Sequence, residues 1–116
     1  VKAPDISGAQ YESQAVRYLE KNGYRVLEKN FRTRLGEIDI VAMDGEDIVF
    51  CEVKGGKEIP PPFARVTATK IKKILYTAQY YIHIHPDLSY RRVRIDVLSI
   101  TLPDRALRHF KDITAH

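Results

Sequence analysis

A chain of 116 residues has room for one hydrophobic core and is too short for two ordinary domains, so residues 1–116 are read as a single unit. No apolar run approaches the roughly 20 residues that span a bilayer, and the opening VKAPDISGAQ lacks the basic-then-apolar order of a secretory signal, so neither is expected. The lone Cys51 excludes an intrachain disulfide and points to a reducing, cytoplasmic setting, while the net charge of +4 is only mildly suggestive of a polyanionic partner.

The first predicted element is a helix from about Ser7 to Asn22, with Ser7 as cap and Gly23 as its left-handed terminator. Ala15, Val16 and Leu19 form its apolar stripe, with Tyr11 and Tyr18 beside it. Glu12 precedes those three by three, four and seven residues, which aligns a carboxylate with the buried stripe. A strand follows over Tyr24 to Phe31. Two β-prone runs, Glu37 to Met43 and Asp47 to Lys54, then flank Asp44-Gly45, a strong hairpin signal. Cys51, inside the second run, reads as a buried small hydrophobe. Pro60 to Pro62 reads as a loop.

Ile71, Ile74, Leu75, Ala78, Tyr81 and Ile82 follow a helical period from Thr67 or Ala68 to Tyr81, and Pro86 stops any continuation. His83 and His85 are read as surface or capping residues. Tyr76, Tyr80, Tyr81 and Tyr90 are read as core or core-edge residues, with a partner surface as the alternative. Val93 to Ile100 is a further strand, and the last dozen residues add a short strand or frayed helix. The order αβββαβ implies an α/β fold with a mixed sheet between helices.

The hairpin carries the chemistry. With Asp44-Gly45 as a two-residue turn, Asp39 pairs with Phe50 and Glu37 with Glu52. Alternation then puts Glu37, Asp39, Glu52 and Lys54 on one face, with Asp39 and Glu52 as diagonal neighbours roughly 7–8 Å apart. Two like charges about 4 Å apart repel by about 4 kcal/mol at an effective dielectric of about 20. Such a pair holds a proton or binds a cation, and carboxylate oxygens suit Mg²⁺ or Mn²⁺. Lys54, two residues from Glu52, would orient water or stabilise charge on a phosphoryl group. Arg34, Lys57, Lys70 and Lys73 are candidates for nucleic-acid contact, and Arg91, Arg92 and Arg94 form a further basic group.

GEIDIVAMDGEDIVFCEVK resembles the central motif of the YraN-like family of small bacterial proteins. That family is related to Holliday-junction resolvases and to the restriction-endonuclease-like PD-(D/E)XK superfamily. YESQAVRYLEKNGYRVLEKNFR, ATKIKKILYTAQYYI and RIDVLSI resemble its other blocks, so the likeness covers nearly the whole chain. It implies that Asp39, Glu52 and Lys54 are the catalytic core with Glu12 as an additional helix carboxylate. Asp39, Glu52 and Glu12 would hold Mg²⁺ or Mn²⁺ for phosphodiester hydrolysis, with DNA, branched or otherwise structured, as substrate. Pairing of two copies fits the junction-cutting relatives. Gly36 and Glu37 match the Gly-Glu before the aspartate, Lys70 matches a basic residue of the second helix, and Asp96 is read first as a structural partner. Two positions depart from the pattern: Tyr11 stands where Gly precedes the helix glutamate, and Gly55-Gly56 replaces the usual Thr and Arg, which reads as a hinge. The expected function is therefore a metal-dependent endonuclease; a non-catalytic nucleic-acid-binding module or a protein-interaction domain are the alternatives.

Overall fold

The structure, a computed structural model, describes residues 7–57 and 61–114. Helix α1 spans Gly8–Lys21. Ser7 and Gln10 cap it reciprocally: the Ser7 hydroxyl accepts from the Gln10 N–H, and the Gln10 side chain accepts from the Ser7 N–H. Gly23, at φ +86°, turns the chain into strand β1, Arg25–Arg32. Strands β2, Glu37–Asp44, and β3, Asp47–Lys57, complete an antiparallel meander. After a short 3-10 turn over Pro62–Arg65, helix α2 runs Ala68–Ile84 and returns the chain to β4, Arg92–Leu102, parallel to β3. Strand β5, Ala106–Phe110, pairs antiparallel with β4 and gives the last dozen residues their short strand. The sheet order is β1-β2-β3-β4-β5, so the expected α/β class with a mixed sheet between two helices is observed.

Each helix covers its own face. Ile74, Ala78 and Tyr81 of α2 pack on Val41, Met43, Ile48, Phe50 and Ile95. Ala15 and Leu19 of α1 pack on Ile40, Ala42, Val49, Cys51 and Leu98. Because both faces are buried, the central strands read as near-continuous apolar runs, without polar alternation. Cys51 lies in this interior as expected, and burial pushes its thiol well above the ordinary cysteine value.

Three expectations are corrected. The hairpin turn is Gly45-Glu46, with Asp44 opposite Asp47, so the register differs by two residues from the one expected. Gly45 alone takes positive φ (+59°), as the first central position of a type II′ turn demands. Gly55-Gly56 is no hinge: both residues lie in β3, paired with Ile100 and Thr101. Among the tyrosines of the second helix and beyond, only Tyr81 is core, whereas Tyr76, Tyr80 and Tyr90 are exposed. Pro60 lies outside the described residues, and Pro62 is buried at the start of the 3-10 turn.

Candidate active site

The site arises where the sheet splits. The β2–β3 ladder runs from the turn to Ile40 and Cys51 and ends there. Beyond that point Glu37 and Ile38 remain paired with β1, while Glu52 to Lys57 remain paired with β4. Asp39 and Glu52 stand on the two lips of the resulting cleft. The two-residue register difference preserves parity, so the expected convergence survives, with Asp39 and Glu52 directly opposite in register and not diagonal. The Val53 N–H, past the last ladder pair, donates to Asp39 Oδ2 at 2.7 Å. A side chain has replaced a strand as acceptor.

Both helix N-terminal regions close on this cleft. Glu12, Glu37, Asp39, Glu52, Lys54, Lys70 and Lys73 line one pocket of about 350 Å³, which brings together residues from α1, β2, β3 and α2. Glu37 reaches it from a turn in which Thr33 Oγ1 accepts the Leu35 and Gly36 N–H groups at 3.1 and 3.3 Å. Gly36 is crowded there: a Cβ would lie 3.0 Å from Thr77 Oγ1 on α2, so any side chain would press on that hydroxyl. Tyr11 and Gly55 also meet here. A Cβ on Gly55 would overlap the Tyr11 ring, so the bare glycine leaves the space that the ring occupies. Arg65 donates to the Gly55 carbonyl from the other side.

The charges are arranged as two opposed groups. Asp39 is half-buried, and burial, followed by repulsion from Glu52, pushes its pKa up to about 7 against the pull of the Val53 N–H. Burial also raises Glu12, with Asn30 hydrogen bonding opposing and Glu37 adding to the shift. On the other side, Lys54 Nζ lies 2.9 Å from Glu52 Oε1. Burial works against the Lys54 ammonium, but contact with Lys70 and with Glu52 outweighs it and raises its pKa. Lys70 is correspondingly depressed, first by Lys54 and then by burial. Glu52 thus uses one oxygen on Lys54, leaving Oε2 outside that ion pair.

A hard divalent cation suits this donor set. Mg²⁺ commonly binds through one or two carboxylates, several waters and substrate phosphate oxygens. Asp39 and Glu52 supply two carboxylates whose mutual repulsion such a cation would relieve. Among the described residues, no three carboxylate, histidine or cysteine side chains converge closely enough to hold a metal by themselves. Glu12 therefore lines the pocket as a third carboxylate without completing a cage.

The model of the uncharacterised protein family UPF0102 matches residues 11–100, which includes every one of these pocket residues. The chain belongs to this family. UPF0102 proteins similar to it include that of Petrotoga mobilis, 42% identical over 98 residues covering 84% of this chain and 88% of the relative. That of Persephonella marina is 44% identical over 97 residues, 82% and 83% of the two chains. That of Thermotoga maritima is 40% identical over 102 residues, 88% and 91%. The YraN-like resemblance is thereby confirmed as UPF0102 membership.

The other candidate residues of this UPF0102 domain separate. Lys70 and Lys73 line the pocket, Arg34 lines a neighbouring groove, and Lys57 is exposed at the end of β3. Of the two arginines of β4, Arg94 serves the interior and Arg92 stays exposed. Arg94 is buried against Asp44, Asp47 and Asp96, and Arg92 pairs with Asp47 at 3.0 Å. His85 Nδ1 lies 2.7 Å from the Tyr81 carbonyl and caps α2, as expected, while His83 is exposed. No helix among the described residues is long and apolar enough to cross a membrane. The contribution of the Val53 N–H had no sequence signal, since it depends on how the sheet splits.

Proposed function

We propose that this UPF0102 domain is a metal-dependent endonuclease with a restriction-endonuclease-like core, hydrolysing phosphodiester bonds in DNA. The observation that carries the reading is the facing pair of Asp39 and Glu52 in a cleft, with Lys54 bound to Glu52 and Lys70 and Lys73 at the rim. Asp39, at about 7, is held in the pocket with too little positive charge of its own. A bound Mg²⁺ or Mn²⁺ would supply that charge, polarise a phosphoryl oxygen and lower the pKa of a coordinated water. Asp39 and Glu52 would hold the ion, with Glu12 lining the same pocket as a further carboxylate.

The protein's own groups perform the rest. Lys70 and Lys73 attract the phosphate backbone and set its path across the cleft. The Lys54 ammonium, fixed by Glu52, places a positive donor where negative charge gathers on the phosphorus centre. The Val53 N–H holds the Asp39 carboxylate in one orientation, so the ligand is positioned before the ion arrives.

Purified protein incubated with linear, branched and single-stranded DNA in Mg²⁺ or Mn²⁺ should cut at least one substrate. Asp39→Ala and Glu52→Ala should abolish cutting, and Lys54→Met should slow it about a hundredfold. Cleavage that persists in both carboxylate variants, or no cleavage of any substrate, defeats the hydrolytic reading. The second reading is a nucleic-acid-binding module without hydrolysis; it is favoured by the absence of a closed three-ligand cluster among the described residues.

A further inference from the structure

A second groove, of about 500 Å³, lies on the other side of the Thr33–Gly36 turn from the cleft. Its wall is apolar and open: Leu35 is 53%, Tyr80 44% and Ile84 43% exposed. Tyr80 lies over Phe31, with centroids 6.4 Å apart and planes at 27°. Phe31 in turn meets the buried Tyr81 edge-on at 4.9 Å. The exposed ring is thus anchored to the core through a second ring. Arg32 and Arg34 stand at the rim, and among the described residues no carboxylate lines the groove. Arg32 reaches Glu37 only at 3.6 Å, and Arg34 forms no ion pair among the described residues.

The groove and the cleft are joined by one helix face. Lys70, Lys73, Thr77, Tyr80 and Ile84 follow one another at alternating spacings of three and four residues along α2, a single stripe. From Lys70 to Tyr80 the helix rises about 15 Å. The stripe passes beneath the turn at Thr77, where Gly36 makes its close approach. A phosphate backbone lying on the lysines is therefore led towards an aromatic surface flanked by guanidinium groups.

We propose that Tyr80 is a stacking platform for an unpaired base of the nucleic-acid strand that occupies the Asp39–Glu52 cleft. The proposal rests on the reading of that cleft as a phosphodiester site and assigns it a substrate with a single-stranded segment beside the bond that is cut. A continuous duplex keeps its base faces covered and has none to offer Tyr80. Any base has a π face, so recognition here is tolerant of sequence, and the arginines hold the flanking phosphates. The groove's positive rim distinguishes this occupant from a second copy of the chain, which would bring Arg32 and Arg34 against their own kind.

The test avoids catalysis. Binding of labelled oligothymidylate and of a blunt duplex to the full chain is measured by fluorescence anisotropy in EDTA. Tyr80→Leu, which keeps an apolar side chain but removes the ring, should weaken single-strand binding about tenfold and leave duplex binding unchanged. Tyr80→Phe should retain single-strand binding. Arg34→Ala, at an exposed position that does not bear on folding, should lower the slope of log affinity against log salt by about 0.7. Equal single-strand affinity for Tyr80→Leu and the parent, or equal losses on both ligands, overturns the proposal. So does a concentration-dependent dimer that Leu35→Lys dissociates while single-strand binding stays intact, because the face then belongs to a second copy. Without a divalent ion these measurements do not depend on hydrolysis. Failure of the platform leaves the cleavage assay standing, and failure of cleavage leaves the platform standing as a binding site.

Discussion

Asp96 on β4 is fully buried and surrounded by donors: Arg94 at 2.8 Å, His109 Nε2 at 2.7 Å, the Asp112 N–H at 3.0 Å and the Tyr24 hydroxyl at 3.3 Å. Burial alone would raise its pKa, yet His109, Arg94 and the Asp112 N–H hold it at about 2. Asp39, on the other strand bordering β3, receives one backbone N–H and faces another carboxylate, and its pKa rises to about 7. Two aspartates on strands of one sheet have opposite electrostatics. The chain supplies every partner that Asp96 needs, so that carboxylate is part of the architecture. It leaves Asp39 short of positive charge, which is the deficit that the proposed cation would fill.

The largest expected effect tests the architectural half. Asp96→Ala should cost about 4 kcal/mol in urea unfolding, because it removes the buried acceptor shared by Arg94, His109 and the Asp112 N–H. A loss below about 1 kcal/mol would make Asp96 as dispensable as a surface carboxylate and dissolve the contrast. Asp39→Asn tests the other half with the opposite sign. The folded pKa of Asp39 lies above its ordinary value of 3.8, so its stabilising contribution is complete below that value and disappears as pH rises through about 7. In EDTA, Asp39→Asn should therefore be more stable than the parent by about 2 kcal/mol at about pH 8, and the difference should shrink steadily as pH falls and close only towards about pH 4. Denaturation curves in which the variant is weaker at both pH values would remove the argument from electrostatic frustration. The smallest effect sharpens the comparison. Mn²⁺ at ten times its dissociation constant should stabilise the parent by about 1.4 kcal/mol. Glu52→Gln should lose that gain, while Lys57→Ala should keep it; a melting temperature indifferent to Mn²⁺ in the parent would count against a cation site.

Elements were more legible in the sequence than the contacts between them. Both helices were visible through local chemistry: Ser7 and Thr67 cap, Gly23 terminates, and the apolar spacing of each helix points at one face. The hairpin was visible too, but its turn was displaced, because Asp-Gly and Gly-Glu both place Gly45 near the bend and only the backbone decides which pair is central. The error was harmless to the site since a shift of two residues leaves side-chain direction unchanged. Gly55-Gly56 was misread because glycine ordinarily weakens a strand; here Tyr11 and Arg65 fill the space that side chains would take. Asp96 was rightly read as a structural partner. Its network could not be foreseen, since Tyr24, Arg94, His109 and Asp112 come from separate stretches that only the folded sheet gathers. The same holds for Arg94, whose charge looked like surface and is interior.

The parting of β2 from β3 has a mechanical consequence. Past Ile40 and Cys51, β2 stays fastened to β1 and β3 to β4, so the two acidic lips are carried by strand ends that no longer bond to each other. Moving one lip towards the other would therefore load the ladder that still joins the two strands, from Ile40 and Cys51 down to the turn at Gly45 and Glu46.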